Sequence, residues 1–233
     1  LERGAVPLSP DAFEAIVENE GALMLDTRPE QVFKDGFIPN AIFIGLDGDF
    51  APWVGALIPD LQQPIVFITE AGREEEVVTR LARVGYDHTL GYLEGGVEAW
   101  KAAGKELDTI TSIPVEAFAQ HYAEGQVDNL LDVRKPSEFI SQHVVGAENF
   151  PLDYVNKNMG RLNGEDTYYL HCKGGYRSMI TSSILKARGF DNLIDIQGGW
   201  NAIEENENVP KTDYNCPTTI SQEELDAAIE AVT

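Results

Sequence analysis

The feature that most constrains this chain is that it repeats itself. Leu25-Asp26-Thr27-Arg28 recurs as Leu131-Asp132-Val133-Arg134. Each is followed, at matching distances, by an aromatic residue (Phe33, Phe139), an aliphatic one (Ile38, Val144) and an alanine (Ala41, Ala147). Gly85-Tyr86-Asp87 is echoed by Gly189-Phe190-Asp191, and Gly95-Gly96 by Gly198-Gly199. The offset falls from 106 residues (25 to 131) to 103 (95 to 198). That period is too long for a solenoid unit and suits a domain. A chain of 233 residues has room for two domains of about 100 residues, each able to bury a core. We expect domains at 1–106 and 107–233, with 107–113 as linker.

Each copy alternates strand and helix. In the second, 114–122 has helical spacing with Ser112 placed to cap it. Short apolar runs at 129–133, 167–171 and 193–196 predict strands. Residues 178–188 alternate apolar and polar at helical period and stop at Gly189, a natural C-terminal cap. A helix is expected from Trp200, and 222–232 predicts a last one beyond a polar tail carrying Pro210 and Pro217. Strands separated by helices imply an α/β fold with a largely parallel sheet in each domain.

Composition removes several function classes. The formal net charge of −22 argues against nucleic acid, whose phosphates need clustered Lys and Arg, and against an anionic membrane surface. It reads as a solubilising surface or as an acidic docking face. No apolar run approaches the roughly 18 residues of a spanning helix. The two cysteines give no disulfide framework and fit a reducing compartment, so a cytoplasmic location is expected. Four scattered histidines and two distant cysteines match no metal-ligand spacing, so no metal is expected. The chain opens on Leu1, as a processed or excised piece would.

The stretch that carries chemistry is Tyr168-Tyr169-Leu170-His171-Cys172-Lys173-Gly174-Gly175-Tyr176-Arg177-Ser178. A cysteine ends a buried strand, two glycines permit a tight loop, and an arginine and a serine open the next helix. In open α/β sheets ligands collect beyond the carboxyl ends of the strands. Glycines let successive backbone N–H groups turn inward as an anion-binding nest, and the helix N-terminus adds partial positive charge. Such surroundings suit a nucleophilic cysteine.

The loop Cys-X-X-X-X-Arg-Ser between strand and helix resembles the active-site loop of rhodanese-type sulfurtransferases. The Asp132-Val133-Arg134 strand end, the turn from His143 to Ala147 and Gly198-Gly199-Trp200 resemble that family's other landmarks. The resemblance implies two tandem rhodanese-like domains, each a largely parallel five-stranded sheet flanked by helices. It implies that Cys172 is the nucleophile that holds a persulfide. Lys173, Gly174, Gly175 and Tyr176 would form the cradle, and Arg177 would orient an anionic donor. The Ser178 hydroxyl would bond the sulfur or cap the helix. No cofactor is implied, and the partners are a small-molecule sulfur donor and a thiol acceptor. The dual-specificity phosphatases of this fold carry one more residue between cysteine and arginine, for a tetrahedral phosphate. The six positions of 172–177 therefore favour sulfur transfer over a phosphatase or arsenate reductase.

The first half departs from this pattern. At the equivalent place Ile65-Val66-Phe67-Ile68 runs into Thr69-Glu70-Ala71-Gly72-Arg73, with no cysteine anywhere in that half. Glu70, Glu74, Glu75 and Glu76 would repel an anionic donor, so this half reads as catalytically silent. Phe50-Ala51-Pro52-Trp53-Val54-Gly55 and Gly91-Tyr92-Leu93-Glu94-Gly95-Gly96 resemble the rhodanese portion of bacterial fusions with a metallo-β-lactamase-like domain. Those relatives include persulfide dioxygenases and sulfurtransferases of sulfide detoxification. That resemblance implies an N-terminal metal domain beyond this chain, which lacks any His-X-His-X-Asp-His run.

The remaining residues carry two readings each. Lys173 favours approach of an anion or points to solvent, and Arg177 serves the donor or only the helix surface. Asp132 and Arg134 are expected to brace the loop and pair with a nearby acid such as Glu138. His171, next to the nucleophile on an extended strand, should point away from it. Cys216 is a resolving thiol or an incidental tail cysteine. Trp53, Trp100 and Trp200 are core or cleft-wall residues.

Overall fold

Each half of the chain folds around its own parallel sheet. In the first the strands are β1 (Pro7–Leu8), β2 (Leu23–Asp26), β3 (Ile42–Phe43), β4 (Ile65–Ile68) and β5 (Thr89–Leu93). In the second they are β6 (Thr111–Ile113), β7 (Leu130–Asp132), β8 (Glu148–Asn149), β9 (Tyr168–His171) and β10 (Leu193–Ile196). The spatial orders, β1-β5-β4-β2-β3 and β6-β10-β9-β7-β8, are the same order shifted by five. Every pairing in both sheets is parallel. The computed structural model describes residues 4–233 and divides into a first unit ending at Thr109 and a second beginning at Ile110. This is the α/β arrangement of two tandem sheets that the repeat predicts.

The central strands explain the architecture. All four residues of β4 and all four of β9 are buried, as expected where helices cover both faces of a parallel sheet. In the second domain Phe118, Leu130, Tyr169, Ile196, Trp200 and Ile203 pack into one core, with Phe118 and Ile203 fully buried. Removing a ring such as Phe118 would cost about 3–5 kcal/mol. The helix Tyr176–Lys186 is also buried from Ser178 to Leu185, although its sequence alternates like a half-exposed helix. Its hydroxyls remain inside partly because they bond backward along the helix: Thr181 Oγ1 donates to Arg177 O at 2.9 Å and Ser183 Oγ to Ile180 O at 2.7 Å.

Two local expectations change. The stretch read as linker contributes β6, an edge strand in register with β10 through Thr111–Ile194, Ser112–Asp195 and Ile113–Ile196. Ser112 therefore caps nothing. Its hydroxyl donates to Asp195 Oδ2 at 2.9 Å, and the helix Val115–Ala123 starts behind Pro114 without a side-chain cap. Sheet pairing takes Ser112, and the fixed φ of Pro114 starts the helix.

The tail is docked. Val144 and Lys211 form an antiparallel bridge. Val145 N donates to Pro210 O, Thr212 N to His143 O and Asn215 N to Ser141 O, all within 3.0 Å. The Ser141 hydroxyl returns a bond to Asn215 O at 2.8 Å. The last helix, Gln222–Glu230, opens on a capping box in which Ser221 Oγ accepts from Glu224 N and the Glu224 carboxylate accepts from Ser221 N.

Candidate active site

Strand β9 delivers His171 and Cys172 to the carboxyl edge of the second sheet, and Cys172 is 1% exposed. The chain then turns through Lys173 and Gly174 to Gly175, whose φ of +119° suits only glycine. This conformation directs the Gly175 N–H at Cys172 Sγ, 3.1 Å away. Tyr176 begins the helix behind it, and the exposed Lys173 begins the loop in front.

A second turn holds the loop from outside. Trp200 N donates to Cys172 O at 2.7 Å and Asn201 N to Lys173 O at 3.0 Å. Across a planar peptide the carbonyl and the following N–H point in opposite directions. Fixing the carbonyls of Cys172 and Lys173 thus turns the N–H groups of Lys173 and Gly174 away from the Trp200 helix. Gly199 makes the approach possible, because a Cβ there would lie 2.5 Å from Cys172 O. The Gly198-Gly199-Trp200 landmark is thus the clamp that shapes the cysteine loop.

Arg177 reaches back to the helix Pro136–Ser141. Its Nη1 and Nη2 donate to Glu138 Oε2 and Oε1 at 2.6 and 2.9 Å, and the guanidinium is largely covered. Glu138 Oε2 also accepts from Lys135 N at 3.1 Å. Burial pushes the Glu138 carboxyl up, but the hydrogen bonds and charge of Arg177 outweigh it and hold it below the usual carboxylate range. Glu138 is therefore the partner of Arg177, not of Arg134 as expected. Arg134 is already satisfied: its Nε and Nη2 fork onto Asp132 at 2.5–3.0 Å, and Nη2 also donates to Gln142 O at 2.8 Å. Its guanidinium lies over Trp200, 4.2 Å from the ring centroid.

His171 pairs in register with Asp132, and its Nε2 lies 3.7 Å from Asp132 Oδ2. Its ring stacks at 28° against Trp200, and its Nδ1 lies 3.2 Å from Cys172 O. Burial lowers its pKa against the pull of Asp132, so the ring is neutral near pH 7. Ser178 neither bonds the sulfur nor caps the helix. Its hydroxyl is 2.7 Å from Asp195 Oδ1, and Gly175 flanks the helix start. Asp195 thus receives Ser178 on one oxygen and Ser112 on the other. Sequence reading missed Asp195, yet the signal was present: one carboxylate in the apolar strand Leu193-Ile194-Asp195-Ile196 requires a buried partner.

The first domain shows the same frame without a cysteine. Arg28 forks onto Asp26 at 2.6–3.1 Å and donates to Gly36 O at 2.9 Å, reproducing the Asp132–Arg134 module. Thr69 stands where Cys172 stands, and its Oγ1 is buried without a hydrogen-bond partner. Gly72 keeps a positive φ of +87°, but its N–H donates to Glu74 Oε1 at 3.1 Å. Arg73 is held by Asp47 at 2.8 Å, Glu76 at 2.9 Å and Glu70 at 3.3 Å.

Among the described residues no group of three or more His, Cys, Asp or Glu is placed to hold a metal ion. No helix among them is long and apolar enough to cross a membrane.

YrkF of Bacillus subtilis, described as "Putative sulfur carrier protein YrkF", is 30% identical over 131 residues, covering 56% of this chain and 62% of that protein. YqhL of the same organism, an uncharacterized protein, is 31% identical over 85 residues, covering 36% of this chain and 65% of that protein. The chain thus spans less than two thirds of either relative. A rhodanese-like domain protein from Staphylococcus aureus, solved by crystallography, superposes with a TM-score of 0.40 at 24% identity, covering 46% of this chain and all of that one. The thiosulfate sulfurtransferase of Pseudomonas aeruginosa superposes with a TM-score of 0.38 at 19% identity, covering 97% of this chain and 47% of that one. The sequence profile of the rhodanese-like domain matches residues 9–103 and again 114–206, well over half of the chain, which therefore belongs to the rhodanese-like family twice over.

Proposed function

We propose that this protein is a sulfurtransferase in which Cys172 of the second domain carries the sulfur. The observation that supports it most is the Gly175 N–H aimed at Cys172 Sγ from the mouth of a six-residue loop. With thiosulfate, the Cys172 thiolate attacks the outer sulfur, the S–S bond to the sulfonate breaks and sulfite leaves with that electron pair. A persulfide anion remains on Cys172, and the loop amides stabilise its charge. A low-molecular-weight persulfide would deliver its outer sulfur in the same way, with the thiolate R–S⁻ leaving. A thiol acceptor then takes the sulfur and restores the Cys172 thiolate. Arg177, held by Glu138, supplies positive charge beside the loop, while Lys173, Gly174, Gly175, Tyr176 and Ser178 shape it. Asp132 and Arg134 support the strand end beneath. The protein supplies all the chemistry from side chains and amides, without a cofactor.

In this reading the first domain is silent and the protein acts in the cytoplasm. The resemblance of its first half to metallo-β-lactamase fusions makes an N-terminal domain of that kind a proposed partner. The description of YrkF as a sulfur carrier favours a second reading, in which a partner protein loads Cys172. The test is intact mass of the chain before and after thiosulfate or glutathione persulfide. A gain of about one sulfur atom, reversed by a thiol and absent from Cys172→Ser, supports the enzyme. No adduct with either donor, but loading by a sulfur-charged protein, supports the relay.

A further inference from the structure

A cleft of about 280 Å³ opens beside the cysteine loop, between Lys173, the helix Gly199–Glu205 and the docked tail. Its floor is Trp200, 7% exposed, and one wall is Tyr214, 65% exposed. Part of its polar lining is already committed: Arg134 to Asp132, Glu138 to Arg177, Ser141 to Asn215 and Gln142 to Thr212. Two charges in the lining are not. Neither Lys173 nor Glu204 has an ion-pair partner among the described residues, and both are exposed to the cleft's solvent. They face the same space with opposite sign and do not pair with each other.

That combination selects a ligand. Thiosulfate has five heavy atoms and two negative charges; it would fill little of this volume, and Glu204 would repel it. A molecule carrying a carboxylate and an ammonium on a short aliphatic frame satisfies Lys173 and Glu204 together, and its frame lies against Trp200 and Tyr214. We propose that this cleft is the subsite for the carrier part of a zwitterionic amino-acid persulfide or thiol, with Lys173, Glu204 and Tyr214 setting specificity. The proposal rests on Cys172 being the sulfur carrier and assigns the organic end of the substrate. With R–S–SH bound there, the Cys172 thiolate attacks the outer sulfur. The bond between the two substrate sulfurs breaks, R–S⁻ leaves with the electron pair, and Cys172–S–SH forms. The tail is thereby part of the site, because the pairing of Thr212 and Asn215 with the 141–145 stretch is what sets Tyr214 beside the loop.

The experiment compares loading of Cys172 by cysteine persulfide with loading by the persulfide of 3-mercaptopropionate, which lacks the ammonium. The expected result is a preference for the cysteine compound of about tenfold or more in kcat/KM. Glu204→Gln should collapse that ratio towards one, and Tyr214→Ala should raise KM for both donors while kcat holds. Equal loading by the two donors, or a preference that survives Glu204→Gln, overturns the subsite. If neither donor loads Cys172, titration of the Cys172→Ser chain with S-methylcysteine decides. Binding that Glu204→Gln weakens about tenfold keeps the subsite while the transfer reading falls; no binding removes both.

Discussion

Gly199→Ala offers the most demanding test of how the loop is built, because the chain contains its own control. Gly199 has φ of +54°, and its added methyl would lie 2.5 Å from Cys172 O and 3.0 Å from both the carbon and the oxygen of the Lys173 carbonyl. The left-handed conformation costs a non-glycine residue about 1–2 kcal/mol. The clash is with backbone that two hydrogen bonds hold in place, and such overpacking adds about 1–3 kcal/mol. Gly96, its echo in the first domain, has φ of +59° with nothing within 4 Å of the same methyl, so Gly96→Ala carries only the first cost. The two substitutions should therefore differ by about 1–3 kcal/mol. Hydrogen exchange read on peptides from β9 and from β4 reports each domain's opening free energy separately. The second readout is chemical. Relief of the clash has to move the Cys172–Lys173 peptide, and a displacement of about 1 Å at a reacting group is worth up to ~100-fold in rate. Sulfur loading of Cys172 should thus fall in Gly199→Ala and not in Gly96→Ala. Equal destabilisation of the two domains, or unaltered loading in Gly199→Ala, would refute the clamp.

Glu138→Gln should weaken the hold on Arg177 by about 1.5–3 kcal/mol, the range for hydrogen bonds to charged groups, and slow Cys172 loading with thiosulfate about tenfold; rapid mixing with sulfite detection checks both the rate and its dependence on donor. Because the folded pKa of Glu138 is depressed, that pair's contribution is complete above the unfolded glutamate value of about 4.3 and is lost as pH falls through the lower folded value; acid titration of wild type against Glu138→Gln should show the two stabilities converging below that window. Asp132→Asn and Asp26→Asn each leave a buried arginine with half its fork, so thermal melts should report losses of about 3–5 kcal/mol in both domains. Thr69→Cys should create no second sulfur carrier, since the Gly72 N–H is taken by Glu74; a sulfur adduct on the introduced cysteine, located by peptide mass mapping, would overturn the argument that this carboxylate occupies the loop amide.

Much of this was legible in the residues. The repeat fixed two copies of one sheet, Gly189 stops the helix with a φ of +87°, and the Cys172 loop leaves β9 for a helix as its glycines demand. What escaped has a common cause. β6 is three residues long at a sheet edge and only half-buried, so its sequence shows no alternation to separate it from a linker. Glu138 was legible as a nearby acid, but the choice between Arg134 and Arg177 depends on which guanidinium Asp132 has already satisfied. The tail docks mainly through its backbone, which leaves no side-chain pattern to read. The helix Tyr176–Lys186 looked half-exposed because serine and threonine count as polar, although their hydroxyls can bond within the helix.

Comparison of the two copies separates frame from chemistry more sharply than either copy alone. The Asp-X-Arg fork is drawn with the same bonds in a domain that has a cysteine and in one that has none. Its place is therefore the strand end, where Asp132 and Arg134 repeat the pairing of Asp26 and Arg28. Around the sulfur the two loops share only the glycine: Thr69 stands against Cys172, Glu70 against Lys173, Ala71 against Gly174, Arg73 against Tyr176, Glu74 against Arg177 and Glu75 against Ser178. Three of these changes remove a glutamate and two of the three bring a basic residue in its place, against one arginine lost at Tyr176. The amide geometry survives in both, with a left-handed glycine at 72 and at 175, but the first loop gives its N–H to its own Glu74 carboxylate. In the second copy the same N–H meets sulfur, and the Glu138 carboxylate is paired with Arg177. The two copies thus differ in which group the loop amide faces, a carboxylate of its own chain at Glu74 or the sulfur of Cys172.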